Sequence, residues 1–106
     1  MIKTFVTGNV THNPELRTTD SGKNVTTLRV ASNRVGKDGA DFLSIEVWGT
    51  QAEACCKYLK KGSGIAAAGD LFIDTYEKDD GKRISVKLIN AQVEFTDRAP
   101  KETNNE

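Results

Sequence analysis

The chain has no apolar run approaching the roughly 18 residues that a membrane span needs, and its N-terminus lacks the apolar core of a signal peptide. Those two absences predict a cytosolic protein. Histidine occurs once, at His12, and cysteine twice, at the adjacent Cys55 and Cys56. Zinc would need further ligands, so the cysteines are expected to be two small thiols on the apolar side of a helix. Net charge is missing as well, because 15 basic side chains are matched by 15 acidic ones. Setting aside residues 97–106 leaves 13 basic against 12 acidic, so only local clustering of charge can indicate a partner. Apolar residues make up 37% of the 106, which is low for a chain that must form one domain at this length. A thin core, or one completed by a partner chain, is expected.

What the chain does contain is concentrated between Asp41 and Leu71. Leu43, Ile45 and Val47 alternate with Phe42, Ser44, Glu46 and Trp48, as in a strand with one aliphatic face. Glu46 between two aromatics does not suit a core, so the aliphatic face is expected to be buried and the aromatic face open. After Gly49 the period lengthens, with Ala52, Cys55, Cys56 and Leu59 at helical spacing. Thr50 and Glu53 are spaced as a capping box. Lys60 and Lys61 suit the negative end of the helix dipole, and Gly62 suits a left-handed stop.

The remaining segments read as strands. Ile2 to Val10 is the first, ended by the turn-forming His12-Asn13-Pro14 and resumed over Glu15 to Thr19. Ser21-Gly22 makes a turn into Asn24 to Val35, where Leu28 and Val30 share a parity. A loop over Gly36 to Gly39 leads into the central strand. Beyond the helix, Gly64 to Glu77 puts Ile65, Ala67, Leu71 and Ile73 on one parity and Phe72 and Tyr76 on the other. Asp80-Gly81 signals a hairpin into Lys82 to Phe95, whose apolar parity switches midway. Either a bulge or burial on both faces accounts for that switch. Residues 97–106 are polar and aperiodic and are expected to be disordered.

Five strands with one helix between the third and fourth is the order of an OB-fold, a small all-β Greek-key barrel. Over residues 1 to 96 the chain also resembles the bacterial single-stranded DNA-binding proteins. The resemblance is carried by Val6-Thr7-Gly8-Asn9-Val10, by Asn13-Pro14-Glu15-Leu16-Arg17 and by the turn Thr18 to Gly22. It continues in Trp48-Gly49 with Ala52-Glu53, in Tyr58-Leu59-Lys60-Lys61-Gly62-Ser63, and in Gly69 with Leu71. In that family, aromatic side chains on the outer barrel face stack on unpaired bases. The matching positions are Phe42, Trp48 and Tyr76, with Phe72 where the family usually has a basic residue. Lys3, Arg17, Arg34, Lys37, Lys60, Lys61, Lys82 and Arg83 are the expected phosphate contacts.

The resemblance implies sequence-tolerant binding of single-stranded DNA in replication, recombination and repair, with no catalysis and no cofactor. It also implies a homotetramer, with a dimer as second choice. The departures are specific. The loop from Val35 to Ala40 carries no aromatic, Asp74 stands where relatives often have a cation, and Leu43 replaces a polar residue that helps subunit contacts. The acidic C-terminal tip that recruits other replication proteins is absent from the sequence. Two rival readings are an accessory OB protein acting mainly through protein contacts, and a metal-dependent hydrolase using Asp70, Asp74, Asp79 and Asp80. The turn already accounts for Asp79 and Asp80, and no His or Lys joins them in a general-base pattern.

Overall fold

The computed structural model describes residues 1–96; the segment expected to be a disordered tail lies outside the described residues. The elements run β1 (Lys3–Val10), β2 (Arg17–Thr18), β3 (Asn24–Asn33), β4 (Ala40–Trp48), α1 (Gly49–Tyr58), β5 (Gly64–Lys78) and β6 (Gly81–Phe95). The two-residue β2 is the resumption expected after the Asn13-Pro14 turn, and it pairs with the start of β3. β1 runs antiparallel to β5, β5 to β6 and β3 to β4, while β6 lies parallel to β4. Pairing of Asn9 with Ala31 and Val10 with Val30 brings β3 back to β1 and closes the sheet. This is the OB-fold, with its helix between the third and fourth long strands.

Closure requires a close backbone approach. A Cβ placed on Gly8 would lie 2.4 Å from the carbonyl oxygen of Ala31 and 2.7 Å from Val30 Cγ1, so only glycine fits where β1 meets β3. Inside, Val10, Leu28, Val30, Ile45, Val47, Ile65, Leu88 and Val93 form one buried cluster, which Ala52, Cys55 and Leu59 cover from the helix side. The β4 alternation falls as expected, with Ile45 and Val47 fully buried and Leu43 packed at the edge of the cluster. The one buried polar residue among those described is Thr26, and its hydroxyl donates to the Glu15 carbonyl at 2.8 Å, fixing the approach to β2.

The helix ends differ from the expected ones. Trp48 occupies the N-cap with no side-chain bond, so Thr50 lies inside the helix and makes no capping box. The chain turns out of β4 at Gly49, with φ +72°, so the N-cap falls two residues before Thr50. Glu53 instead accepts from Asn24 Nδ2 at 2.6 Å and ties α1 to β3. Leu59 ends the helix in an extended conformation while its N–H donates to the Cys55 carbonyl. Lys57 is the basic residue of the last turn; Lys60, Lys61 and Gly62 belong to the next turn, closed by the Ser63 N–H on the Lys60 carbonyl. Cys55 is buried and Cys56 half-buried, both free thiols. Burial, with the neighbouring Cys56 second, pushes the Cys55 thiol up to about 11, so it stays protonated at neutral pH.

The parity switch in β6 is a bulge. Asp70 pairs with Ile89 and Ala68 with Gln92, so Gly69 alone faces two residues, Asn90 and Ala91. Asn90 takes φ +52°, a left-handed conformation that asparagine tolerates better than most residues. Leu88 is buried before the bulge, and Ala91 and Val93 after it. Gln51 of α1 completes the arrangement, its amide donating to the Val93 carbonyl at 3.1 Å and accepting the Val93 N–H at 3.2 Å. At the hairpin, Lys78 pairs with Gly81, so the central residues are Asp79 and Asp80 and not Asp80 and Gly81. The β5–β6 hairpin also extends past the barrel as an arm. Ile73, grouped by parity with the buried residues, is 53% exposed there, and Ile84 and Val86 are exposed beside it, because no other strand among the described residues pairs with that stretch.

Candidate nucleic-acid interface

The outward parity of β4 carries Phe42, Ser44, Glu46 and Trp48, and the strand register places Ala31, Arg29 and Thr27 opposite the first three of these on β3. Phe42 is 73% exposed and Trp48 42%, far more than a core aromatic would be. On the arm, Phe72 pairs with Lys87, Asp74 with Ser85 and Tyr76 with Arg83, and these pairs share the outward face. The parallel contact between β4 and β6 joins the two groups, since the Lys87 ammonium lies 2.9 Å from Glu46 Oε2 and 5.5 Å from the centre of the Phe72 ring.

The result is a concave surface between Trp48 and Phe72. A cavity of about 360 Å³ is lined by Glu46, Trp48, Phe72, Lys87, Ile89 and Asn90. The lining joins two aromatic rings and one aliphatic side chain to three polar ones. Asn90, placed there by the bulge, also lines an adjoining hollow with Thr19, Lys23 and Trp48. The surface therefore runs from the β2–β3 turn across Trp48 to Phe72, with Tyr76 further along the arm.

The expected phosphate contacts divide by what already holds them. Lys3 is paired with Asp70 at 2.7 Å and Arg34 with Asp41 at 2.9 Å, while Arg83 is paired with Asp80. Hydrogen bonding to Lys3, then to Asn90, holds the Asp70 carboxyl below its ordinary range. Arg17 gives one N–H to the Thr27 hydroxyl at 3.3 Å on the outward face. Lys37 is exposed in the β3–β4 loop and Lys82 at the start of the arm's second strand. Lys60 and Lys61 are exposed in the turn after α1, where the Lys61 N–H donates to Asn13 Oδ1.

Arg29, Lys87 and Asn90 belong to the same surface and are not among the residues the sequence singled out. Arg29 was legible by parity, since it is a cation between the buried Leu28 and Val30. Asn90 was not, because its place depends on a bulge whose position the sequence leaves open. The hydrolase candidates do not converge as a set, as Asp70 is bound to Lys3 and Asn90 and Asp80 to Arg83. No group of three or more His, Cys, Asp or Glu suited to a metal ion occurs among the described residues.

Residues 1–96 match the single-strand binding protein family. The chain belongs to that family. It is 40% identical over 108 residues to single-stranded DNA-binding protein 1 of Staphylococcus aureus (strain Mu50), an alignment covering 96% of this chain and 68% of that protein. A second protein of the same strain, single-stranded DNA-binding protein 2, is 38% identical over 88% of this chain and 70% of its own length. The single-stranded DNA-binding protein of Bacillus cereus is 38% identical over 87% of this chain and 57% of its own length. In this chain the outward face of the barrel carries the aromatic hollow described above.

Proposed function

We propose that this protein binds single-stranded DNA with little sequence preference, as a binder and not a catalyst, and serves replication, recombination and repair. The observation that carries this reading is the hollow between Trp48 and Phe72, continued by Phe42 and Tyr76 on the same outward parity. Every base has a π-face, so stacking on such rings tolerates any sequence and contributes about 1 to 3 kcal/mol per base in OB-fold binders of this class. A duplex keeps its bases stacked on one another and cannot offer them. The named functions of the staphylococcal and bacillar relatives support the same reading.

Phe42, Trp48, Phe72 and Tyr76 are the proposed stacking residues, and Arg17, Lys37, Lys60, Lys61 and Lys82 the proposed phosphate contacts. Lys3, Arg34 and Arg83 must first exchange an acidic partner, so their share is smaller. The assembly is proposed to be a homotetramer, with a dimer as second choice, and to act in the cytoplasm. The exposed Phe5 on β1 and the Ile73, Ile84 and Val86 surface of the arm support self-association, since it would remove that apolar area from water.

Titration of Trp48 fluorescence with oligothymidine, and with a duplex of equal length, tests the reading. Saturable quenching by the single strand and little by the duplex is expected. Equal response to both, or response to neither, would remove single-strand binding as the function.

A further inference from the structure

The outward face holds a second hollow, at the β1–β2–β3 side, that the aromatic argument does not use. About 580 Å³ in volume, it is lined by His12, Asn13, Glu15, Arg17, Thr27 and Arg29. Arg29 is exposed, and no ion pair or side-chain hydrogen bond holds its guanidinium among the described residues. Among the described residues Arg17 engages only the Thr27 hydroxyl, which leaves most of its planar fork of donors available. The Thr11 hydroxyl lies 2.7 Å from His12 Nδ1 and fixes that ring at the rim. Two cations are thus gathered in one concavity with a single carboxylate, Glu15.

Arg29 and His12 also line the neighbouring hollow of about 270 Å³, whose other walls include Phe42, Leu43 and Val86. Arg29 lies directly across from Ser44, and Phe42 across from Ala31, so Arg29 and Phe42 are diagonal neighbours, about 7 to 8 Å apart between backbones. Opposite Phe42 the small Ala31 leaves the ring face uncovered. A cationic compartment and an aromatic one therefore share a wall. Their chemistries match the two ends of one nucleotide.

We infer that Arg17 and Arg29 bind a backbone phosphate while Phe42 stacks on the attached base, so that this paired hollow takes one nucleotide as a unit, with His12 closing the rim. The inference rests on the proposed single-strand binding and adds to it a defined subsite away from Trp48. Charge-assisted, forked contacts from arginine suit a phosphate better than a neutral ligand. Glu15 opposes the same phosphate, so its charge sets how tightly the subsite closes.

The test uses Trp48 as a distant reporter, with a short oligothymidine titrated at several salt concentrations into wild type, Arg29→Gln, Glu15→Gln and Lys57→Gln. Lys57 sits on α1 beside Tyr58 and serves as the control. Arg29→Gln is expected to make the slope of log affinity against log salt shallower by about 0.7, the value for one phosphate on a single strand. Its affinity should fall roughly eightfold at 50 mM salt and about threefold at 200 mM, with the same quenching at saturation. Glu15→Gln should bind about twofold to fivefold more tightly, a gain that weakened folding cannot imitate. An unchanged slope in Arg29→Gln, no gain in Glu15→Gln, or a Lys57→Gln slope shifted as far as that of Arg29→Gln would each overturn the subsite while leaving single-strand binding intact. Absence of saturable quenching in the wild type would remove the broader reading, and the subsite with it.

Discussion

Trp48 and Ile45 lie three residues apart on one strand, and their side chains have opposite fates. Ile45 is wholly buried, whereas Trp48 is 42% exposed at the lip of a cavity. Trp48→Ala is accordingly expected to weaken binding of single-stranded DNA by about 1 to 3 kcal/mol with little change in thermal midpoint. Ile45→Ala should lower stability by roughly 2 to 5 kcal/mol, and Leu43→Ala by less, since Leu43 is only half-buried. Chemical denaturation and oligonucleotide titration of the same three variants check both halves. A Trp48→Ala protein that unfolds readily yet binds normally would mean that the ring is structural. The parity of β4 was readable because a strand's period of two leaves a residue only two choices of face. Thr50 shows the limit of such reading: the T-x-x-E spacing was present, but a cap depends on the residue at which the chain turns, and the turn at Gly49 puts the cap on Trp48, two positions before Thr50.

Among the elements, α1 and β6 are joined at one side chain. Gln51 supplies both a donor and an acceptor to the backbone of Val93, a residue buried to 5% exposure. Gln51→Ala would leave both backbone groups without partners near the barrel's interior, and a loss of about 1 to 3 kcal/mol is expected, measurable by urea unfolding. β1 is joined to β5 by the Lys3 and Asp70 pair. Because the Asp70 carboxyl is held below its ordinary range, its contribution is present above the unfolded carboxyl's titration and disappears as pH falls through the depressed folded value. The stability difference between wild type and Asp70→Asn should therefore be greatest near neutral pH and vanish in strong acid, which melting at a series of pH values would show. Neither joint was legible in sequence, since each links residues 42 or 67 positions apart through contacts that no local period encodes.

At the scale of the whole molecule, net charge of zero conceals an uneven arrangement. Four of the thirteen cations in residues 1–96, Lys3, Arg34, Arg83 and Lys87, already have acidic partners, and the others are spread over several elements, so one strand can engage only some of them. Binding should fall with salt at a slope of roughly −2 to −3, three or four phosphates at about 0.7 each, and persist at moderate salt. Collapse of binding after a small salt increase would show that charge and not stacking dominates. The low apolar fraction has a visible counterpart in the exposed Phe5, Ile73, Ile84 and Val86. Light scattering at micromolar concentration is expected to return four times the chain mass of 11.6 kDa, or twice it as second choice; the single-chain mass would reject both.

The bulge at Asn90 makes the arm a lever. Beyond the contact of Lys87 and Leu88 with β4, everything from Ile73 to Lys78 is carried on one paired ribbon, about 17 Å long at strand rise, and a bulge sets the bend and twist of the strand that contains it. A change of about 10° in that bend would swing the tip by about 3 Å, with Tyr76 moving more than Phe72 and Trp48 not at all. Deleting Asn90 would leave the pairing on either side in register while altering the angle, and would also remove the amide that bonds Asp70 and lines the hollow beside Trp48. Such a variant is expected to keep the Trp48 quenching while changing the shortest oligonucleotide that saturates it, because the distance between one foothold and the next is set at the hinge and not at either ring.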